Sequence, residues 1–286
     1  MDELRVFKSE SSMDDLGRKM AKLNPSDGEI SCMTINVGAA GKTGKNAAKE
    51  KEIRDKEVNK RKQKNIGKRI TEADVRREIF ITKIKQVDPD IICFQEQIPK
   101  DLKEADQVML KDLPEDIKRK YETYYDRQES TREAAVMVKK EKFQNVGQKE
   151  MFTDSDKDLY SQIQGRVVLV RAEIKGSPSK VIHIASCHGP HKKTDKIETA
   201  ENIMKIVTRK VGRSPFIIGG DFNLSQKDFP DASNYISVAA DSYDIDYFVY
   251  GGNGCSMRNV KQSTYNDPGV ARAFLDHVPT VGKFHY

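Results

Sequence analysis

No apolar run in this sequence is long enough to cross a bilayer. The longest, Arg166–Ile174 and Pro215–Ile218, fall far short of the roughly 18 to 20 residues that a membrane-spanning helix requires. Residues 1–14 are acidic and polar and contain no apolar h-region, so no secretory signal is expected there. A reducing intracellular setting, cytoplasm or nucleus, is expected instead. Cysteine is sparse: Cys32, Cys93, Cys187 and Cys255 are scattered, with no C-x-x-C pair and no histidine at zinc-finger spacing. Isolated thiols in strand-like runs read as small core residues, and no zinc site is expected. Internal repeats and Pro- or Ser-rich linkers are also missing, which favours one domain with an insert over two domains.

What is present can fill a core. Apolar residues make up 37 % of the 286 positions, while the 33 % that are charged supply a polar surface. The net charge of +6 is unevenly placed, because Lys42–Arg69 holds twelve Lys or Arg against four Asp or Glu, a local net of +8 that leaves the rest at −2. Basicity belongs to one segment, an insert at about residues 40–70. Such a block could attract a polyanion such as nucleic acid, or an anionic membrane surface. The plainer reading of such a run is a solvated, partly disordered insert.

Residues 1–28 read as a polar N-terminal extension with a short amphipathic helix, and 29–286 as the domain proper. Glu29–Val37 alternates and is rich in β-branched residues, which predicts the first buried strand. Thr71 with Asp74 predicts a helix N-cap, with Val75, Ile79 and Ile84 as its buried stripe and a stop before Pro89. Ile91–Phe94 is a short strand delivering Gln95, Glu96 and Gln97. Glu122–Asp126 with Ala134–Val138, and Arg166–Ile174 with Lys180–Cys187, read as strand pairs. Thr194–Val211 reads as a helix, and Phe216–Gly219, Ile245–Tyr250 and Val278–Phe284 as strands. The mixture places the chain in the α/β or α+β class with a large sheet content. Gly38-Ala39-Ala40-Gly41-Lys42-Thr43 is not a P-loop, since a phosphate cradle needs four residues between its glycines and here there are two.

Polar residues at the ends of apolar strands carry the functional signal, because a strand fixes the backbone and its terminus can meet a ligand. Asn36, Glu96, His188, Asp221 with Asn223, and Asp276-His277 all occupy such positions. Each is weak alone; together they suit phosphodiester cleavage. A hard Mg²⁺ (or Mn²⁺) ion prefers carboxylate and amide oxygens, and Glu96 with Asp276 and Asn36 would suffice to hold it. The ion would polarise a phosphoryl oxygen, while an aspartate and an imidazole orient and deprotonate water and a donor amide steadies the transition state.

Asn36, Gln95-Glu96, Gly220-Asp221-Phe222-Asn223 and Asp276-His277 follow the order seen in the endonuclease/exonuclease/phosphatase superfamily, which this chain resembles from about Glu29 to Phe284. The resemblance implies a four-layered α-β-β-α sandwich of two mixed sheets flanked by helices, as in deoxyribonuclease I-like proteins. It also implies metal-dependent cleavage of phosphate esters. By that resemblance Glu96 is the principal metal ligand, supported by Asn36 and with Asp276 near the metal. Asp221 orients or activates water, Asn223 binds phosphate, and His277 contacts phosphate or acts as base. His188 in Cys187-His188-Gly189-Pro190 matches the histidine of the deoxyribonuclease and sphingomyelinase branches, and His183, mid-strand, is its rival. Arg166 after Gly165 is a candidate phosphate contact, and Asp246 the acidic partner of His277. Asp126 or Glu129 would pair with His188, and His191 has no assigned role. Leu275 stands where family members commonly have Ser, and the Asn36–Glu96 interval is unusually long.

The expected activity is a low-specificity nuclease on DNA or RNA, with nucleic acid as partner. The alternatives are action on inositol phosphates, sphingolipids or tyrosyl-DNA adducts, and an inactive nucleic-acid-binding module. Oligomeric state is not legible.

Overall fold

The computed structural model describes residues 28–38, 47–67, 69–98, 113–125, 132–149, 165–190, 196–275 and 277–286. The expected N-terminal helix, the glycine-rich stretch after Gly38 and the start of the Thr194 helix lie outside these residues. So do Asp126, Glu129, His191 and Asp276.

Two six-stranded sheets pack face to face. The first runs in the order β11 (Ser256–Gln262), β12 (Thr280–His285), β1 (Glu29–Asn36), β2 (Ile91–Ile98), β4 (Arg132–Lys139), β3 (Tyr121–Tyr125). The second runs β5 (Phe143–Lys149), β6 (Val167–Ile174), β7 (Ser177–His188), β8 (Phe216–Asp221), β10 (Asp246–Gly251), β9 (Tyr235–Val238). Each sheet has a parallel pair at its centre, β1–β2 and β7–β8, flanked by antiparallel neighbours.

Alternation along each strand sorts the apolar side chains into layers. Ile30 and Cys32 of β1 join Cys93, Val136, Val168, Ile184, Ile217 and Phe248 in the core between the sheets. There the sheets approach so closely that a Cβ on Gly219 would lie 2.9 Å from Cys93 Cβ. Met33 and Ile35 face the other way, against Phe80 and Ile84 of helix α2 (Glu72–Val87) and Ile117 of α3 (Glu115–Lys120). Across the second sheet, Leu169 and Ile218 meet Ile203 and Val207 of α4 (Lys196–Val211). The result is the four-layered α-β-β-α sandwich. All four thiols are free, and burial pushes Cys93 up to about 12, as suits a core residue. Among the described residues no helix is long and apolar enough to cross a membrane.

Helix α2 begins at the expected capping box, in which Thr71 Oγ1 accepts from Asp74 N at 3.2 Å and Asp74 Oδ2 accepts from Thr71 N at 2.9 Å. It ends at Asp88, φ 50°, ahead of Pro89. The basic insert departs from expectation. Residues 47–64, read as solvated and partly disordered, form helix α1 (Ala47–Lys64). Ala, Lys and Glu favour the helix intrinsically, and it docks through Arg54 and Val58. Arg54 Nη1 donates to Ala273 O at 2.8 Å, at the end of helix α5 (Pro268–Phe274), while Val58 packs with Val75, Ala273 and Phe274.

Candidate active site

The topology gathers strand ends of both kinds at one rim. Parallel strands offer their last residues there, Asn36 of β1, His188 of β7 and Asp221 of β8, with Glu96 late in β2. Antiparallel strands at the same rim offer residues from their starts, Glu133 (second in β4) and Asp246 (first in β10), with His277 just ahead of β12. Asp246 stands opposite Asp221, and His188 beside it, in register.

Asn36 ties the two sheets together at the centre. Its Nδ2 donates to Glu96 Oε1 and to Asp221 Oδ2, both at 2.9 Å, while its Oδ1 accepts from Gly38 N at 2.8 Å. Glu96 reaches this point because a register shift between Gln95 and Ile98 bulges β2 and holds Glu96 at φ 54°. A bulge re-aims a side chain, and a left-handed non-glycine residue is a strained one that its surroundings must hold. Gln95 anchors the bulge, accepting from Thr34 Oγ1 at 3.2 Å and donating to Ser186 Oγ at 3.0 Å. A Cβ on Gly38 would fall 2.2 Å from Glu96 Oε2, so any other residue there would displace that carboxylate.

Two imidazoles flank this centre, each held by a carboxylate. His188 Nδ1 lies 2.9 Å from Glu133 Oε2, and His277 Nδ1 hydrogen-bonds Asp246 Oδ2. An ionised carboxylate only accepts, so opposite one the Nδ1 atom bonds as a donor, and the Nε2 atoms face the centre. They stand 3.7 Å from Glu96 Oε1 and 3.7 Å from Asp221 Oδ2 respectively. Burial and the neighbouring Asp221 raise the Asp246 carboxyl above the ordinary carboxylate range, against the pull of His277.

Glu133, a residue not anticipated, is an acidic partner of His188; Asp126 and Glu129, expected in that role, lie outside the described residues. Glu133 could have been found, since it immediately precedes the apolar run Ala134–Val138 and so meets the strand-end criterion. His183 is buried mid-strand opposite Arg171, away from the rim. Arg166, expected to contact phosphate, carries a guanidinium held by Glu133 and Gly189 and still partly open to solvent. Its Nε lies 2.9 Å from Glu133 Oε2 and its Nη1 donates to Gly189 O at 3.2 Å. Asn223, at φ 52°, closes a tight turn in which its N–H donates to Asp221 Oδ1 at 2.9 Å and its Nδ2 to Gly189 O at 3.1 Å.

The donor set fits a hard divalent cation. Glu96, His188 and Asp221 each bring a ligand atom within 4.8 Å of the others, as do Asp221, Asp246 and His277. Two carboxylates converging on one amide repel each other unless positive charge comes between them. Carboxylate oxygens on a preorganised bulge, with an imidazole at the edge, suit a divalent cation.

No family model and no curated protein matches the sequence. Solved structures do match across the sandwich. The human Nocturnin catalytic domain with bound sulfate anion is 16 % identical with a TM-score of 0.57, over 90 % of this chain and 94 % of that one. TDP2 of D. rerio complexed with single strand DNA product is 13 % identical at 0.56, over 90 % and 99 %. An endonuclease/exonuclease/phosphatase from Bacteroides vulgatus is 12 % identical at 0.56, over 90 % and 98 %. At such identities the likeness is one of fold.

Proposed function

We propose that this chain, which has the fold of the endonuclease/exonuclease/phosphatase superfamily, is a divalent-metal-dependent phosphodiesterase acting on nucleic acid. The observation that carries this reading is the convergence of Glu96, Asp221 and two carboxylate-held imidazoles on the Asn36 amide at one rim. Glu96 would hold the Mg²⁺ or Mn²⁺ ion, with help from Asn36 and Asp276, and a bound ion would supply polarisation of the phosphoryl oxygen and neutralisation of the leaving group.

The chain's own residues do the rest. Asp221 has one oxygen fixed by the Asn223 N–H and the other by Asn36, so it is preorganised to orient an attacking water and accept its proton. His277, locked by Asp246, presents Nε2 next to Asp221 Oδ2, where it contacts the phosphate. His188, held by Glu133, donates from the opposite side to charge developing on the phosphorane oxygens. Asn223 spends one amide hydrogen on Gly189 O and has a second for phosphate. Arg166 serves by fixing Glu133.

Nucleic acid is favoured over small phosphate esters by the exposed lysines of α1, among them Lys49, Lys51, Lys56, Lys60, Lys62 and Lys64. The D. rerio neighbour with its single strand DNA product supports the same reading. Purified chain incubated with plasmid and single-stranded oligonucleotide in Mg²⁺ is expected to cleave them. Glu96→Ala should lose activity on the order of 10²- to 10³-fold. Equal, background rates would remove the reading, and turnover of a soluble inositol polyphosphate with DNA left intact would move the site to small esters.

A further inference from the structure

Beside this rim lies an aromatic that the chemistry above does not use. Tyr243 is 69 % exposed, the one aromatic among the exposed large hydrophobic side chains of the described residues. It lies three residues before Asp246, so the chain keeps their Cα atoms within about 11 Å of each other.

An exposed tyrosine on a floppy loop would mean little, but this loop is pinned from several sides. Tyr243 N donates to Asp241 Oδ1 at 3.0 Å and Asp241 N to Asp244 Oδ2 at 3.0 Å. Gln262 Nε2 on β11 donates to Asp244 Oδ1 at 3.1 Å. The segment after Asn223 closes on it, Gln226 N donating to Asp244 O at 3.0 Å and Lys227 N to Ser242 O at 2.9 Å. Phe222 N, next to Asp221, donates to Ile245 O at 2.8 Å. Lys227 Nζ then sits 4.0 Å from the Tyr243 ring centroid. One face of the ring thus carries a cation, while the side chain as a whole stays open to solvent.

We propose that Tyr243 and Lys227 form a stacking platform for an unpaired nucleobase next to the scissile phosphate, making this a site for single-stranded nucleic acid. Every base has a π-face, so stacking on a fixed ring gives affinity without sequence preference. The lysine polarises the ring and meets the adjacent phosphate, and a base held in a duplex cannot reach the ring. Lys227 beside the ring favours an anionic occupant over an apolar one, while the nearby carboxylates of Asp241 and Asp244 are occupied by loop N–H donors and by Gln262. The inference rests on the phosphodiesterase reading for its biological sense, but binding tests it separately from catalysis.

Full-length chain in EDTA is titrated into fluorescein-labelled oligo-dT and into a duplex of equal length, with anisotropy as readout. Tyr243→Ala is expected to weaken oligo-dT binding roughly 5- to 150-fold and leave duplex binding unchanged. Tyr243→Phe, which keeps the ring, should restore it. Lys227→Ala should reduce the slope of log K against log salt by about 0.7. Unchanged oligo-dT binding by Tyr243→Ala, equal losses on duplex and single strand, or no oligo-dT binding by the unsubstituted chain would each overturn the platform. Stacking without Mg²⁺-dependent cleavage would sink the catalytic reading alone. Cleavage that is indifferent to Tyr243 would sink this one alone.

Discussion

At the scale of the residue, the site depends on imidazoles whose tautomer is set by a buried carboxylate. Glu133 is 4 % exposed and touches both His188 and Arg166, so it orients the ring and balances the guanidinium at once. Glu133→Gln keeps the shape but removes the charge that holds Nδ1–H. The rate of Mg²⁺-dependent hydrolysis of a model phosphodiester should fall about 10- to 100-fold, by analogy with the outer partners of metal-site histidines. A variant at the unsubstituted rate would show that the Glu133–His188 contact is only structural. Asn36, Glu96, His188 and Asp221 were legible because they end apolar strands, and Asp246 through the family resemblance; all meet at the rim. Glu133 escapes a reading that looks for the partner of His188 among Asp126 and Glu129, because it sits inside β4 next to the apolar run Ala134–Val138. Arg166 was legible as a site residue, but its pairing with Glu133 was not, since sequence does not show which anion of the same chain lies nearest.

At the scale of the element, legibility follows burial. The central strands β1, β2, β7, β8 and β10 are covered on both faces and read as apolar runs. Edge and near-edge strands such as β9 and β11 expose polar residues, as edge strands must, and so carry no comparable pattern. Helix α1 was hidden for a related reason. Its buried face is only Arg54 and Val58, and a charged anchor leaves no hydrophobic periodicity to detect. Arg54 is nonetheless specific, satisfying the Ala273 carbonyl at the end of α5, four residues before His277. Arg54→Ala leaves that carbonyl unpaired, and urea unfolding should show a loss of about 1–3 kcal/mol. A midpoint unchanged from the parent chain would mean that α1 is not docked through Arg54.

At the scale of the whole molecule, two sheets with matching parallel centres place their strand ends on a common rim, and the core between them holds that rim rigid. Residues from Asn36 to His277 are brought together only by this topology. Their types and order along the chain pointed to the fold, but the contacts of the Asn36 amide with both Glu96 and Asp221 depend on the sheet-to-sheet packing at Gly219 and Cys93, which no local pattern encodes. The basic charge, by contrast, sits on α1, outside the sandwich layers, where it can act on a polyanion without disturbing the site. The proposed cation between the two carboxylates is what would make the rim chemically coherent. Crystals of the full chain soaked in Mn²⁺ and measured at the manganese absorption edge test this directly. An anomalous peak bonded to the Glu96 carboxylate, adjacent to Asn36 and Asp221 and absent in Glu96→Ala, is the expected result. Peaks confined to other surfaces, with Glu96 and Asp221 uncoordinated at saturating Mn²⁺, would contradict it.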